Sequence, residues 1–376
     1  MRRVYLDNAA TTALDSEVVA IMNDVMKNTF GNPSSSHFFG RKSKALIETS
    51  RMKIAKLIHA NPTEIYFTSG GTEADNMAIR GAVRDAGVTH VITSKIEHPA
   101  VINTVASLVH KKKITVSYVK VNSNGQIDLH DLESLLENNK KTLVSLMHAN
   151  NEIGNLIDIY SISVLCKKYN ALFHSDTVQT VGHYEFNLNK LEIDFITCSG
   201  HKFHGPKGVG FLYVNKNINL SPLIHGGSQE RNMRGGTEYV YGIVGLAKAL
   251  EVASRDLEAH QSHIKSIKLY MINQIKEKLP QIKFNGLSSV LDQSLYTILS
   301  VSLPSTKYDQ LLLFNLDLLG VACSGGSACS SGNSNTSHVI KQIQKEQLPV
   351  VRFSFSKFNT IDDIDYTIDK LVSLFN

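Results

Sequence analysis

The chain is predicted to be an α/β protein with two domains: a large one built on a mostly parallel sheet of about seven strands, and a smaller α/β one. Amphipathic helices alternate with short apolar strands from residue 16 to about residue 241. Residues 242–279 then read as helix for most of their length, and a second, shorter series of strands and helices follows. The helical segment is therefore expected to bridge the two domains.

Each element of the large domain follows from its local pattern. The first helix places Val18, Met22 and Val25 on one helical face. In a mostly parallel sheet, ligands bind at the carboxyl ends of the strands, where Asp176 and Ser199 are expected to lie. The predicted strands are apolar, β-branched runs at residues 64–68, 90–93, 114–119, 143–147, 172–175, 195–198 and 210–214.

The smaller domain shows the same kinds of signal. Its loop at residues 324–337 is rich in Ser, Gly and Asn, which predicts a mobile surface segment. Its predicted elements are a strand at 297–303, a helix at 308–319, this loop, a strand at 350–355 and a closing helix at 361–375.

Composition excludes several classes of protein. Of the 376 residues, 42% are hydrophobic and 19% are charged, which is typical of a globular enzyme and not of a disordered chain. The net charge of +5 is spread along the chain without aromatic residues interleaved, so no direct nucleic-acid binding is expected. No apolar run reaches the roughly 18 residues of a membrane helix, and no signal peptide is recognised, so no membrane association is expected. The four cysteines show neither a CxxC pair nor metal-ligand spacing, which favours free thiols in the cytoplasm and no metal site.

A lysine at a strand end is the first residue that suggests chemistry. The apolar run at residues 194–198 is followed by SGHK at 199–202 and by GPKG at 205–208. A lysine at the end of a buried strand can lose its proton through desolvation and become the nucleophilic amine that a Schiff base with an aldehyde cofactor needs. Lys202 is therefore a candidate attachment point for pyridoxal phosphate, although a single lysine in such a turn is usually an ordinary solvated side chain.

A second strand-end motif supports the same cofactor. The apolar run at residues 172–175 is followed by Asp176 and, three residues later, by Gln179. A carboxylate beside the pyridine nitrogen keeps that nitrogen protonated, so that the ring can accept electrons from a breaking bond. Asp176 fits this role, and Gln179 is suited to hold the phenolate oxygen of the ring. The two motifs together predict a pyridoxal phosphate enzyme.

A phosphate cradle is predicted between a strand and a helix. Residues 68–76 join the two through a pair of glycines, so backbone N–H groups and the helix dipole can face an anion. Ser199 and His201, which bracket the lysine turn, offer further donors. The alternative is a tight turn in which Thr72 serves as the helix N-cap.

Three more polar residues are candidates for the same crevice. His98, shortly after a predicted strand, can stack on the ring or act as an acid or base, and its alternative is a histidine at a helix N-terminus. Asn151 can donate to the ring oxygen or to a substrate carboxylate, and its alternative is a turn asparagine. Arg352 lies within a strand of the small domain, where its planar fork suits an α-carboxylate or, alternatively, a structural ion pair.

A cysteine in the Gly/Ser-rich loop is the second decisive residue. Cys329 lies in SGGSACSSG at residues 324–332, where no packing requirement explains a thiol. Most free cysteines are buried, and one on a polar loop is a candidate nucleophile. Cys323, in contrast, is expected to end a strand and pack, and a disulfide between the two is not expected in a reducing compartment.

These motifs together resemble those of the class I cysteine desulfurases of the NifS/IscS type, which are fold-type I pyridoxal phosphate enzymes of the class-V aminotransferase family. The resemblance covers nearly the whole chain. It implies a large cofactor-binding domain at residues 15–259 and a small domain, formed by 1–14 and 260–376, that carries the cysteine loop. The matching blocks are residues 5–12, 31–37, 68–76, 97–99, 150–154, 174–179, 199–202, 225–227, 231–237, 324–329 and 351–354.

The resemblance implies a role for each candidate residue. Thr237 would reach the cofactor phosphate from the neighbouring subunit of a homodimer, and the other phosphate ligands would come from the same chain. The implied catalytic residues are Lys202, Cys329 and His98; the implied cofactor-binding residues are Gly71, Thr72, His98, Asn151, Asp176, Gln179, Ser199, His201, Lys202 and Thr237; the implied substrate-binding residues are Asn151 and Arg352.

The implied reaction converts L-cysteine to L-alanine and leaves the sulfur on Cys329 as a persulfide. That sulfur would pass to an acceptor protein for iron–sulfur cluster assembly or transfer RNA thiolation. An aminotransferase or a selenocysteine lyase would share Lys202 and Asp176 without requiring Cys329, and a catalytically silent sulfur carrier would need none of the cofactor residues. Residues 155–158 and 333–336 depart from the family pattern, which leaves the acceptor open.

Overall fold

The computed structural model describes residues 2–305, 311–325, 337–344, 346 and 348–375. The strands of this part of the chain are β1 (Val4–Tyr5), β2 (Ile65–Thr68), β3 (His90–Thr93), β4 (Thr115–Tyr118), β5 (Thr142–Ser145), β6 (Leu172–Asp176), β7 (Phe195–Ser199), β8 (Gly210–Val214), β9 (Lys283–Phe284), β10 (Ile298–Ser302), β11 (Val321–Ala322) and β12 (Val350–Ser354). Its helices are α1 (Ser16–Asn28), α2 (Phe38–Leu57), α3 (Gly71–Asp85), α4 (Pro99–His110), α5 (Leu129–Glu137), α6 (Ile159–Lys168), α7 (Val240–Arg255), α8 (Leu257–Lys278), α9 (Leu312–Leu318), α10 (His338–Ile343) and α11 (Ile361–Phe375).

A seven-stranded sheet forms the centre of the larger part, in the order β2-β8-β7-β6-β5-β3-β4. Strands β3 to β7 pair in parallel, and β8 pairs antiparallel with both of its neighbours. The prediction of a mostly parallel sheet of seven strands is therefore confirmed. The predicted boundaries differ from the observed ones by at most two residues, as at the strand predicted for 143–147, which spans Thr142–Ser145.

Helices cover both faces of this sheet, and alternate residues of each strand face opposite layers. Phe195 packs with residues of α3 and α4, whereas Ile196 packs with residues of α1, α2 and α7. Phe211 and Leu212 of β8 divide between the two layers in the same way. Because both faces are buried, these strands are continuous apolar runs in the sequence, as is usual for parallel sheets.

A second apolar core lies in the smaller part. It is built by a three-stranded antiparallel sheet in the order β12-β10-β9, by the parallel pair β1 and β11, and by α8 and α11. The segment predicted as one helix over 242–279 is two helices, because the chain turns at Asp256. Helix α7 packs on α1 and α2, and α8 packs on α11, so the break separates the layers that the two helices cover.

We propose the domain division at residues 15–259 and at 1–14 with 260–376. The separate cores support it, since Val4 and Leu6 pack with residues from 264 onwards. Among the residues that the structure describes, no helix combines the length and apolar character that crossing a bilayer requires.

A buried lysine in the smaller core predicts a pH-dependent stability. Lys268 of α8 is fully buried, with Nζ donating to Ser294 Oγ at 2.9 Å and to the Leu295 carbonyl at 3.0 Å. Burial lowers the pKa of Lys268 to about 7. Between that value and the ordinary value near 10.4, the unfolded chain binds more protons than the folded one, so the free energy of unfolding rises with pH across this interval.

Replacement of Lys268 with methionine is expected to remove this rise, which is worth at most on the order of 4 kcal/mol. Urea unfolding at pH 7 and pH 9.5 gives the free energy of unfolding of wild type and of the variant. The difference between the two proteins is expected to change between the two pH values. Lys276→Met, an exposed position on the same helix, is the matched control and is expected to show no such change. An equal pH dependence in wild type and Lys268→Met would contradict the prediction.

Candidate active site

A cavity of ≈ 250 Å³ opens where the central strands of the large sheet end. It lies beside the carboxyl ends of β6 and β7, which is the position expected for a ligand in a sheet of this topology. Ten of the predicted site residues line this cavity: Gly71, Thr72, His98, Asn151, Asp176, Gln179, Ser199, His201, Lys202 and Arg352. The structure thus brings together residues that are up to 281 positions apart in the chain (352 − 71).

Lys202 reaches the cavity from a short 3₁₀ turn, Gly200–Lys202, directly after β7. Its Nζ donates to the carbonyl oxygens of Ala9 at 2.6 Å and Ala10 at 2.9 Å. The segment that carries these two carbonyls belongs to the sequence block at residues 5–12. No individual role was predicted for any residue of that block. The amine is therefore oriented by backbone acceptors from the start of the chain.

Asp176 ends β6 on the floor of the cavity. Its Oδ1 accepts from the backbone N–H of Val178 at 3.0 Å and from Thr197 Oγ1 at 3.5 Å. Burial, followed by the nearby charge of Asp75, raises the pKa of Asp176 to about 6. Gln179 lies in the next turn and donates through Nε2 to the Ala9 carbonyl at 3.1 Å. The carboxylate is thus fixed in position and would be stabilised in its charged form by a cationic partner.

Three buried side chains at or near the cavity, Asp75, His174 and Glu97, were not predicted as functional candidates. Asp75 of α3 lines the cavity, and burial raises its pKa to about 7. Its Oδ1 lies 3.3 Å from Nε2 of His174, whose Nδ1 is 2.8 Å from Ser145 Oγ. Glu97 accepts from Ser94 Oγ at 2.7 Å and from the Met147 N–H at 2.9 Å, and burial raises its pKa well above the usual value. Their only sequence signal was membership in the quoted motif blocks.

The cradle predicted for a phosphate is formed by the turn between β2 and α3. Gly70 precedes the helix with φ of 144°, and no side chain caps the first turn. A Cβ on Gly71 would lie 2.5 Å from Val178 Cγ2, so only glycine allows this close approach. The alternative in which Thr72 is the N-cap is wrong, because the helix already begins at Gly71. Beyond this turn the cavity continues into an open mouth of ≈ 440 Å³ that Ser199 and His201 also line.

Burial disfavours the charged form of two histidines in the cavity wall. His98 is the N-cap of α4, and its Nδ1 accepts from the Ala100 N–H at 3.1 Å. Burial lowers the pKa of His98. His201 Nδ1 lies 3.1 Å from Thr11 Oγ1, and burial, with the positive charge of Lys202, lowers its pKa to about 4. The two positions predicted as alternatives for His98 are therefore compatible. It is the N-cap of α4, and it also lines the cavity.

Arg352 enters the cavity from β12 of the smaller part. Its side chain is 2% exposed, with Nη2 2.9 Å from Asp7 Oδ1 and Nη1 donating to the Asn151 carbonyl at 2.7 Å. Its Nε is buried and has no hydrogen-bond partner among the described residues. The guanidinium is thus oriented by two acceptors at the cavity wall. The predicted alternative of a structural ion pair is also present, in the contact with Asp7.

The remaining two predicted site residues are Cys329 and Thr237. Cys329 lies outside the described residues, as does most of the loop predicted to be mobile, and only the ends of that loop are described. Ser324 Oγ donates to Asp7 Oδ1 at 2.7 Å, and Ser337 Oγ donates to Glu152, so both ends are attached beside the cavity. Thr237 is exposed and is not among the residues that line the cavity or its mouth.

Comparisons with known proteins agree with this architecture. Residues 4–367 match the family model described as aminotransferase class-V. A curated relative from Dictyoglomus turgidum, "Cysteine desulfurase IscS", is 42% identical over 98% of this chain and 94% of its own length. A solved structure named "NIFS-LIKE PROTEIN" has a TM-score of 0.90 at 35% identity, covering 99% of each chain. Another, "SspA in complex with cysteine", has a TM-score of 0.79 at 30% identity, covering 95% of this chain and 99% of the other.

The match thus extends over both cores and over all the sequence blocks that supply the cavity. Its identity to a curated relative is well above the level at which only a fold is shared. The chain belongs to the aminotransferase class-V family and, within it, to the cysteine desulfurases of the IscS type.

Proposed function

We propose that the protein is a pyridoxal phosphate-dependent cysteine desulfurase that converts L-cysteine to L-alanine and holds the released sulfur on Cys329 as a persulfide. One observation carries this proposal: Lys202, Asp176 and Arg352 line a single cavity in a chain whose relatives are cysteine desulfurases. An amine, a buried acid and a carboxylate-binding fork are the three groups that amino-acid chemistry on this cofactor requires.

The residues present fit the cofactor. The uncapped first turn of α3 and the glycine approach at Gly71 suit a phosphate, and Ser199 and His201 add donors beside them. Asp176 suits a protonated ring nitrogen, Gln179 and Asn151 suit the ring oxygen, and His98 suits a position over the ring. When bound, pyridoxal phosphate supplies an electron-accepting ring that stabilises negative charge at the Cα of an attached amino acid.

Different side chains of the cavity would have different roles in the reaction. Lys202 Nζ would hold the cofactor through its amine, and the same amine would serve as the base for the Cα proton of a bound amino acid. Asp176 stays ionised when a cationic N–H lies beside it, because that charge offsets the burial that raises its pKa. His98, which lines the same cavity and whose pKa burial lowers, would be available to accept or donate a proton there.

The substrate carboxylate is assigned to Arg352 and Asn151. The guanidinium of Arg352, which lines the cavity, would donate to the carboxylate, and Asp7 holds the guanidinium plane in place. The Cys329 thiolate would attack the sulfur of L-cysteine, so that the new S–S bond forms as the Cβ–S bond breaks. The electron pair of the broken bond would stay with the carbon skeleton, which would take up a proton and leave as L-alanine. The persulfide would then be handed to an acceptor protein for iron–sulfur cluster assembly or transfer RNA thiolation. Free buried thiols at Cys166 and Cys198 support a location in the cytoplasm.

A homodimer is part of the proposal, with Thr237 of each chain completing the phosphate site of the other. The open mouth beside the cradle and the exposed position of Thr237 support it. An aromatic cluster on the surface also supports it: Phe30, Phe38 and Phe39 are 76%, 64% and 48% exposed and contact one another. Apolar patches of this kind usually mark a covered surface in an assembly.

The function is tested with purified holoenzyme and L-cysteine. With a thiol reductant present, alanine and sulfide are expected in equal amounts. With only about one equivalent of L-cysteine per subunit and no added reductant, alanine formation is expected to leave one sulfur on Cys329, because no excess thiol is present to discharge the persulfide. Release of a keto acid in place of alanine would identify an aminotransferase, and alanine formation that leaves no sulfur on the enzyme in this reaction would contradict a persulfide.

The carboxylate assignment predicts a KM effect. Arg352→Lys keeps the charge next to Asp7 but loses the fork, so KM for L-cysteine is expected to rise about 10–100-fold with a smaller change in kcat. Arg2→Lys, which changes an exposed ion pair with Asp363, is the matched control and is expected to leave both constants unchanged. Steady-state kinetics decide the matter: a fall in kcat with KM unchanged would remove Arg352 from substrate binding.

A further inference from the structure

The edge of the large sheet is covered by side chains from one loop and from α2. Strand β2 ends the strand order, so one of its edges faces no other strand in the described part of the chain. Two of the backbone groups on this edge nevertheless have side-chain partners. The Phe67 N–H donates to Glu230 Oε2 at 2.7 Å, and the Ile65 carbonyl accepts from Arg51 at 2.8 Å and from Arg231 at 2.6 Å. Side chains thus take the place of a neighbouring strand.

Glu230 is the centre of this arrangement. Both of its oxygens accept from the guanidinium of Arg51 at 2.8 Å, in a bidentate pair, and one of them also accepts the Phe67 N–H. The side chains of Glu230 and Arg51 are 3% and 2% exposed. The bidentate geometry fixes the relative orientation of the two side chains. Because both side chains are buried, loss of either one would leave the other as an uncompensated charge.

The loop around Glu230 has an unusual backbone. Glu230, Arg231 and Asn232 have φ values of 45°, 56° and 67°, so three successive residues other than glycine occupy the left-handed region. Such conformations persist only where the surroundings enforce them. Here the surroundings are the bonds of Glu230 to β2 and Arg51, together with Arg231, which donates to the Pro62 carbonyl at 3.1 Å.

The same loop leads to Thr237. Arg234 Nε donates to Glu73 Oε1 at 2.9 Å, and the Gly236 N–H donates to Gln229 Oε1 at 3.1 Å. Strand β2, to which the loop is attached, continues directly into the cradle of Gly70 and Gly71. Strand β2 therefore ends at the phosphate cradle of its own chain. Along its edge, the same strand binds the loop that leads to Thr237.

We propose that Glu230 is a positioning residue that holds Thr237 of one subunit in place for the cofactor phosphate bound by the partner subunit. This inference rests on the proposed function, specifically on the shared phosphate site of the homodimer. Glu230 is not among the residues lining the cavity of its own chain. Its loss is therefore expected to weaken cofactor binding in the partner subunit and not in the subunit that carries the substitution.

Heterodimers separate these two effects. Two differently tagged chains are co-expressed, and one of them carries Lys202→Ala, so that only the other chain retains an attachment lysine. Glu230→Gln is then placed either on the chain without the lysine or on the chain with it. The readout is the apparent Kd for pyridoxal phosphate, measured as the fraction of Lys202 that carries cofactor after borohydride reduction and mass spectrometry.

With Glu230→Gln on the chain that lacks the lysine, the Kd is expected to rise about tenfold. With the same substitution on the chain that has the lysine, the Kd is expected to stay within about twofold of the parent heterodimer. Equal weakening in both arrangements would show a general structural role and overturn the inference, as would no weakening in either. Glu48→Gln, which alters the half-exposed acid on the other side of Arg51, is the matched control and is expected to change neither.

Thr237→Ala in the same two arrangements tests the underlying function separately. If Thr237→Ala weakens binding only across the interface while Glu230→Gln does not, the inference fails and the shared site stands. If Thr237→Ala has no effect across the interface, the shared site itself fails, and the inference with it. If the Glu230→Gln chain is not recovered in soluble form, Arg51→Lys, which keeps the charge but loses the fork, takes its place under the same criteria.

Discussion

Replacement of Lys202 with alanine is expected to abolish alanine formation from L-cysteine. The substitution removes both the amine that attaches the cofactor and the base that takes the Cα proton, and the second role alone is typically worth roughly 10²–10⁴-fold. The amine lies between the carbonyls of Ala9 and Ala10 at the cavity wall, where the structure brings no second lysine among the residues lining that cavity. A residual rate near that of wild type is therefore not expected.

Two measurements check this prediction. The rate of alanine formation is followed at saturating cysteine and cofactor, and borohydride reduction followed by peptide mapping shows whether any lysine carries the cofactor. Lys216→Ala, at an exposed position just beyond β8, is the matched control and is expected to retain activity and cofactor. Wild-type turnover in Lys202→Ala, or cofactor attached to a different lysine in the unaltered protein, would overturn the assignment.

Replacement of Cys329 with serine is expected to abolish sulfur transfer while cofactor binding remains. The cofactor residues lie on the large sheet and its turns, and Asp176 is held by Val178 and Thr197, which belong to the same part of the chain. A hydroxyl in place of the thiolate cannot accept the sulfur, so the loss of alanine formation is expected to be at least about 10³-fold. Absorbance of the bound cofactor and its response to added L-cysteine are expected to persist.

Cys323→Ser is the matched control for the thiol. Cys323 packs partly buried against the smaller core, and burial raises the pKa of its thiol, so it is a poor source of thiolate. Activity within about twofold of wild type is expected for this variant. Sulfur transfer is measured as persulfide on the protein by mass spectrometry after one turnover. Persulfide in Cys329→Ser, or equal loss of activity in both variants, would contradict the assignment of Cys329.

Several parts of this protein were predictable from the sequence because they depend on local pattern. Strands buried on both faces are continuous apolar runs, which makes them recognisable in the sequence. Because a parallel sheet places the carboxyl ends of its strands at one edge, Asp176 and Ser199 could be assigned to a common site from the sequence alone. The closing helix at Ile361–Phe375 was predicted with its observed bounds. The break at Asp256 was not, because a single-residue turn between two amphipathic helices leaves the apolar periodicity almost unchanged.

Other features were decided only by the tertiary structure. The seven strands and the residue types of the cavity could be predicted without a structure, since they follow from periodicity and from chemistry at strand ends. The tertiary structure decided which distant groups orient them: the Ala9 and Ala10 carbonyls on Lys202, Asp7 on Arg352, and Glu230 on the edge of β2. The physical reason is that such contacts join segments 163 to 345 positions apart, and their hydrogen bonds form between a side chain and a partner that has no characteristic spacing in the chain.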